Sequence, residues 1–304
     1  MRVTITGATG LIGPKLVREL VARGDEVTVL SRSPDKARQA LAGVEAFAWT
    51  DPTAEPAPTA ALDGRDAVVH LAGEPVAQRW SDDVKRAIRD SREAGTRNLV
   101  AGMTAATDAP KVLVSSSAVG YYGPHGDERL PEKTAAGTDF LAEVCVAWER
   151  EAQAAEATGA RVVLVRTGIV LSPDGGALQT MLPFFKAGAG GPVAGGKQYM
   201  PWIGLDDLVG IYLRALDDET WTGPVNGSAP EPVTNKVFSK TLGKVLKRPA
   251  FAPVPRLAIK TLYGEMSEIV VKGQRAVPDR TQSLGYAFRH TDLEAALRAA
   301  LGKA

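Results

Sequence analysis

The residues best suited to chemistry stand near the start of the chain. Gly7-Ala8-Thr9-Gly10-Leu11-Ile12-Gly13 is a G-x-x-G-x-x-G run. It follows the β-rich stretch Val3-Thr4-Ile5-Thr6 and precedes Leu16, Val17 and Leu20, which recur at helical spacing. Such a strand–turn–helix can cradle phosphate. Gly7 permits the tight turn, Gly10 lets the backbone approach a pyrophosphate, and Gly13 lets helix and strand pack closely. The free N–H groups and positive dipole end of the helix supply the anion site. The next β-rich run, Val27-Thr28-Val29-Leu30, ends in Ser31 and Arg32. An NAD site places a carboxylate there for the ribose 2′-hydroxyl, whereas a guanidinium suits the 2′-phosphate of NADP. The expected cofactor is therefore NADPH in preference to NADH.

The elements that must hold these groups alternate in type. Further strands are expected at Val44–Ala48, Ala67–Ala72, Lys111–Ser115 and Arg161–Arg166. Helical patterns run from Ser81 to Ala106 and from Asp139 to Thr158. This alternation predicts an α/β fold with a doubly wound parallel sheet. After Leu171 the chain becomes glycine-rich, with helices expected at Gly204–Leu216, Asn235–Leu246 and Thr291–Leu301. The expected division is a dinucleotide-binding domain over 1–171 and a smaller substrate or lid domain over 172–304. The second part would weave back onto the sheet and cover the carboxyl ends of its strands.

Composition narrows the function classes. Lys+Arg 36 against Asp+Glu 35 leaves no electrostatic reason to expect nucleic acid or acidic lipid. One Cys cannot form an internal disulfide, and with three scattered His it argues against a metal site. No apolar stretch is long enough for a membrane span, and the N-terminus reads as a strand rather than a signal peptide. The expectation is a soluble cytoplasmic protein with a small-molecule substrate as its partner. No feature sets an oligomeric state.

Several runs together carry a resemblance. The glycine motif, His70-Leu71-Ala72-Gly73, Ser115-Ser116-Ser117 with Tyr121-Tyr122-Gly123, and Arg166-Thr167-Gly168 resemble an extended short-chain dehydrogenase/reductase. Glu74-Pro75, Arg79-Trp80, Asp90-Ser91-Arg92, Gly95-Thr96-Arg97 and Trp148-Glu149 narrow this to the atypical epimerase-family branch, also called sugar-nucleotide-epimerase-like. The likeness covers essentially the whole chain. It implies a Rossmann fold in which Gly7, Thr9, Gly10, Leu11 and Ile12 line the pyrophosphate. Ser31 and Arg32 would meet the adenosine ribose phosphate. Leu71, Ala72 and Gly73 would flank the ribose nearer the nicotinamide, with Ser115 and the backbone from Gly168 to Val170 close to its ring.

The catalytic signature of that family is incomplete. Its members use a Ser with a Tyr-x-x-x-Lys pair one helical turn apart. Aligned on Glu149, the helix after Asp139 has Leu141 at the Tyr position and Cys145 at the Lys position. A leucine cannot move a proton, and Cys145 reads as a small buried hydrophobe. The remaining candidates are Ser116 or Ser117 to polarise a carbonyl and Tyr121 or Tyr122 to donate a proton, with His125 weaker. His70, in an apolar strand, reads as core. By the same resemblance, Lys197, Tyr199 and Trp202 would cover the substrate, and Trp80 would close the cleft opposite. Met181 to Phe185 reads as core packing, with pocket lining as the alternative. Two functions stay open: an NADPH-dependent oxidoreductase or epimerase on a small carbonyl or sugar-like substrate, and a non-catalytic NADPH-binding protein that senses redox state or binds a regulatory partner.

Overall fold

In the computed structural model, which describes residues 1–303, β1 (Arg2–Thr6) alternates Val3 and Ile5 with Thr4 and Thr6. All four are buried, as in a strand covered on both faces. The chain continues through α1 (Gly13–Ala22), β2 (Glu26–Ser31), α2 (Pro34–Ala40), β3 (Val44–Ala48), β4 (Ala67–His70), α3 (Asp82–Ala105) and β5 (Val112–Ala118). Then come β6 (Arg129–Leu130), α4 (Phe140–Gln153), β7 (Arg161–Thr167), β8 (Ile169–Leu171), α5 (Gly176–Lys186), β9 (Tyr199–Met200), β10 (Trp202–Gly204) and α6 (Leu205–Asp217). The rest is β11 (Gly223–Gly227), β12 (Val233–Thr234), α7 (Asn235–Leu246), α8 (Arg256–Tyr263), α9 (Ser267–Val271), β13 (Arg275–Ala276), α10 (Asp279–Ser283) and α11 (Leu293–Ala300).

Seven strands form one parallel sheet in the order β11-β7-β5-β4-β1-β2-β3. This is the doubly wound α/β architecture expected from the alternation of strands and helices. After β3 the chain crosses to β4 on the far side of β1, so the strand order reverses between β1 and β4. Ligands in such sheets bind outside the carboxyl ends at that reversal.

Each face of the sheet has its own core. Val3, Ile5 and Val165 pack against Leu16 and Leu20 of α1 and Ile211 of α6. Leu30, Val68, Leu113 and Leu164 meet Leu99 and Met103 of α3 on the other face. A third cluster joins Trp202, Phe238, Leu242 and Leu297 in the second half of the chain. Helix starts follow local chemistry: Ser81, Asp139 and Asp292 each accept a first-turn N–H, from Val84, Ala142 and Ala295 respectively.

Two features depart from the sequence pattern. The seventh strand, β11, reads Gly-Pro-Val-Asn-Gly, a poor strand sequence, but it pairs only with β7. An edge position tolerates Pro224 because the missing N–H is not needed by a neighbour. Strand β5 also runs three residues past Ser115, so the serine run lies within the sheet. Among the described residues no helix is long and apolar enough to cross a membrane.

Candidate functional site

The turn after β1 is shaped by glycine. Gly7 has φ +67°, and a Cβ there would lie 2.7 Å from the Ala72 backbone nitrogen. A Cβ at Gly13 would lie 2.1 Å from the Ala8 carbonyl oxygen, so helix and turn meet through backbone alone. Gly10 differs. Its Cβ would meet only the Gly7 carbonyl, at 3.2 Å, and its outer side is open. Helix α1 starts with no side-chain cap and no acid in its first turn. Its first N–H groups are therefore left for an anion. Thr9 and Gly10 are exposed there, and Leu11 and Ile12 part-exposed. The turn thus fits the phosphates of a dinucleotide. Leu11 also packs under Gly175 at the start of α5, where a Cβ would approach it to 2.9 Å.

At the end of β2, Ser31 Oγ accepts the Ser33 N–H at 3.1 Å. Arg32 is exposed and has no ion-pair or hydrogen-bond partner among the described residues. Nearby Arg38, by contrast, is held by Asp35 and the Ala46 carbonyl. Arg32 is therefore free to meet an anion at this strand end.

The segment after β4 is seated on β1. The Leu71 N–H donates to the Thr6 carbonyl at 3.1 Å and the Ala72 N–H to Thr6 Oγ1 at 3.3 Å. His70, beneath, pairs with Thr6 and Thr96, and burial drives its pKa down to about 4, as befits a neutral core residue. Gly73 is exposed and borders Arg92 of α3, whose Cζ and Nη2 lie 3.2 Å from a Cβ built there. Arg92 Nη1 donates to the carbonyls of Ile88 and Glu74, both at 3.0 Å, and the guanidinium lies 5.0 Å from the Trp148 ring.

Beyond Arg92 opens a cavity of about 800 Å³. Its inner wall is Ala118 to Gly120, Leu141, Cys145 and Gly168. Its outer wall comes from α5, α8 and α9, with Met181, Phe184, Ile259, Leu262 and Ile269. Trp80 and Tyr199 line it, and Trp80 stacks edge-on against Phe140 at 5.2 Å. The Met181 to Phe185 run does both jobs expected of it: Leu182 and Phe185 pack in the third core, and Met181, Phe184 and Phe185 line the cavity. Three expectations are corrected. Trp202 is fully buried in the third core, its indole N–H donating to the Glu231 carbonyl. Lys197 is exposed and outside the cavity wall. Ser115 is fully buried, with its hydroxyl on the Ser116 carbonyl.

The serine and tyrosine candidates are corrected for one shared reason: none is on the cavity wall. Alternation along β5 sends Ser116 to Tyr212, 2.6 Å away, and Ser117 to Glu149 Oε1, also 2.6 Å away. Glu149 and Arg166 form a buried bidentate pair at 2.8 and 2.7 Å. Tyr122 is fully buried, donates to Asn226 Oδ1 at 2.8 Å and accepts from Arg166. Burial pushes its pKa up to about 12. The Tyr121 ring lies flat under Arg166, 3.4 Å from its Cζ. The same network takes in Glu132, which accepts the N–H groups of Asn226, Arg280 and Thr281. These polar groups tie β5, β7, β11 and α10 together.

Leu141 and Cys145 do stand where a proton-moving pair would face the cavity, both against Gly120. Burial raises the Cys145 thiol to about 12, so it is neither thiolate nor useful base. Sequence reasoning missed Arg92 and the α8–α9 wall. Arg92 carried a readable signal: it falls on the buried stripe of α3 between Ile88 and Thr96, four residues from each. The α8–α9 segment carried none, since its apolar residues face a cavity as they would a core.

A phosphate-cradling turn at the reversal of a doubly wound sheet, with a cavity beside it, defines a dinucleotide-binding Rossmann protein. The chain belongs to the NAD dependent epimerase/dehydratase family, whose profile matches residues 3–225. A domain of unknown function, DUF1731, matches residues 254–300, which include the α8–α9 wall. The chain is 42% identical over 301 residues to the chloroplastic epimerase family protein SDR39U1 homolog of Arabidopsis thaliana, covering 98% of this chain and 86% of that one. It is 36% identical to the Homo sapiens epimerase family protein SDR39U1, covering 98% and 99%. The crystal structure of the human protein (isoform 2) with NADPH superposes with a TM-score of 0.86 at 34% identity, covering 99% of each chain.

Proposed function

We propose that the protein is an NADPH-dependent oxidoreductase or epimerase acting on a small carbonyl compound in the 800 Å³ cavity. The observation that carries this reading is a shared wall. Residues 71–73 pack against Gly7 of the phosphate turn at one end and against Arg92 of the cavity at the other. A dinucleotide laid along that segment would have its phosphates at the turn and its far end at the cavity. Gly7, Gly10, Leu11 and Ile12 would hold the pyrophosphate, and Arg32 the 2′-phosphate. NADPH, when bound, supplies a hydride equivalent. The human relative solved with NADPH supports the choice of cofactor. The chain's own residues orient the substrate in the cavity, with Trp80 and Tyr199 as its aromatic faces.

The second reading, a non-catalytic NADPH-binding sensor, is favoured by Leu141 and Cys145, which give the cavity no proton relay. NADPH oxidation with a panel of aldehydes, quinones and sugar nucleotides separates the two readings: a sensor turns over none. Cofactor choice is tested by fluorescence titration. NADPH should bind at least tenfold more tightly than NADH, about 1.4 kcal/mol, and Arg32→Ala should erase the difference. Equal affinities in the unmodified protein would sink the cofactor assignment.

A further inference from the structure

The cavity wall has an unusual charge distribution. Five charged residues line it: Arg92, Asp139, Glu265, Glu268 and Lys272. Four have partners. Asp139 caps α4 through the Ala142 N–H, Glu265 pairs with Lys85, and Lys272 pairs with Glu268 at 2.9 Å. Among the described residues no carboxylate lies within ion-pair distance of Arg92. Glu74 is near enough for its charge to favour the guanidinium, but it makes no direct contact with it, and its Oε1 accepts from Gln78 Nε2 at 3.3 Å. Only Nη1 of Arg92 is used, on two backbone carbonyls, and Nη2 and Nε donate to no described group.

A guanidinium stays charged in any protein, so an unpaired one in a part-buried apolar setting is costly. Desolvation is the dominant influence on Arg92. The group is nonetheless held in one place, by two carbonyls and by the face of Trp148. A fixed, desolvated fork with a free edge suits one planar anion. The remainder of the wall is mostly apolar, with Met181, Phe184, Ile259, Leu262 and Met266, and its uncharged polar side chains, such as Thr180, Tyr199 and Gln274, carry no second cation for a second phosphate. A nucleoside-diphosphate sugar carries two phosphates and a ring of hydroxyls, and burying these without partners is expensive.

We propose that the cavity takes an apolar molecule bearing a single anionic group, a carboxylate or its equivalent, which pairs with Arg92. This rests on the reading above that the cavity is the substrate site, and it names the substrate class.

The test uses the NADPH-loaded protein and calorimetric titration with three probes: decanoate, decan-1-ol and UDP-glucose. Decanoate should bind at least tenfold more tightly than decan-1-ol, and UDP-glucose should show no binding. Arg92→Met should bring decanoate and decan-1-ol to within about twofold of each other, about 0.4 kcal/mol, while NADPH affinity stays unchanged. Arg92→Lys keeps the charge and should keep a preference of threefold or more. If neither variant folds, the comparison of decanoate with decan-1-ol on the unmodified protein decides alone. Equal affinity for the acid and the alcohol overturns the proposal, as does binding of UDP-glucose. A preference that survives Arg92→Met also overturns it. So does a loss confined to NADPH affinity, which would assign the anion to the cofactor. A protein that prefers decanoate but does not bind NADPH would instead overturn the oxidoreductase reading and leave the anion site standing.

Discussion

The carboxyl ends of β1 and β5 lie on either side of β4 and are built in opposite ways. At β1 the backbone is left open. Glycine shapes the turn, α1 is uncapped, and no side chain competes for its N–H groups. At β5 nearly every polar side chain is already satisfied. Ser116 is on Tyr212, Ser117 on Glu149, Tyr122 on Asn226, and Arg166 bridges several of them. Serines and tyrosines at a strand end suggest chemistry by type, but internal partners for Ser116, Ser117 and Tyr122 turn these three into scaffold, and Tyr121 is tied in by its ring alone. A glycine whose Cβ would strike backbone admits no such second use. The β1 end is open to a ligand because its backbone groups are unfinished, whereas the β5 end has nearly all of its polar side chains closed on one another.

The comparison breaks most sharply at Arg166. If the β5 network is scaffold, Arg166→Met strands the Glu149 carboxylate among buried groups. A buried pair broken by loss of one partner costs about 3–5 kcal/mol. Urea denaturation should show a loss of that size, with NADPH affinity of the remaining folded protein unchanged. A variant of normal stability and poor cofactor binding would mean that the network serves the site directly.

The β1 end should respond in the reverse sense. Gly10 has room on its outer side and its Cβ would press only on the Gly7 carbonyl oxygen at 3.2 Å, so Gly10→Val should fold with a modest drop in unfolding midpoint. Its side chain would occupy the path of the pyrophosphate. NADPH affinity should fall at least a hundredfold, about 2.7 kcal/mol. Gly13→Val is the control, because its Cβ would sit 2.1 Å from the Ala8 carbonyl oxygen and the fold itself should fail. Normal NADPH affinity in folded Gly10→Val would remove the cofactor from this turn.

His70, on the strand between the two ends, gives a pH-dependent measure of scaffold alone. Its native pKa is depressed to about 4 by burial, against about 6.5 unfolded. Between those values the unfolded chain binds the extra proton, so stability is present above pH 6.5 and is lost as pH falls toward 4. From pH 7 to pH 5 the loss from this residue should be about 2 kcal/mol. His70→Asn should flatten that part of the stability–pH curve. An unchanged slope would show that His70 is charged in the native state.

How much of this was legible in the sequence follows the same division. The glycine turn could be read because steric need is local: Gly7, Gly10 and Gly13 act through the few residues around them. Six of the seven sheet strands could be read because runs such as Val68-Val69 and Val162 to Val165 are buried on both faces. The fate of Ser117 or Tyr122 could not be read, because their partners lie 32 and 104 residues away in the chain. The cavity was hidden for a different reason. Ile259, Leu262 and Ile269 carry the same apolar pattern whether they face a core or a ligand. Trp202 misled in the opposite direction, since a tryptophan in a loop-rich stretch offers a stacking face until its indole is seen to be spent on Glu231.

The smallest expected effect tests the β5 end most directly. Tyr122 had the residue type of a proton donor, and the structure gives it a different task. Its hydroxyl is buried, donates to Asn226 and accepts from Arg166, and its raised pKa is what desolvation of a phenol produces. Tyr122→Phe removes one hydrogen bond and leaves Asn226 Oδ1 without its donor, at a cost of about 1–2 kcal/mol. It removes nothing that faces the cavity. Once a substrate is found, kcat and kcat/KM for Tyr122→Phe should match the parent within about twofold, whereas loss of a general acid would cost at least about a hundredfold. Tyr121→Phe should behave alike with a smaller stability cost, because its contact with Arg166 is made by the ring face, which phenylalanine retains. A large kcat loss in either variant without loss of stability would show that the β5 end opens during turnover, and the contrast between an unfinished and a closed strand end would fail.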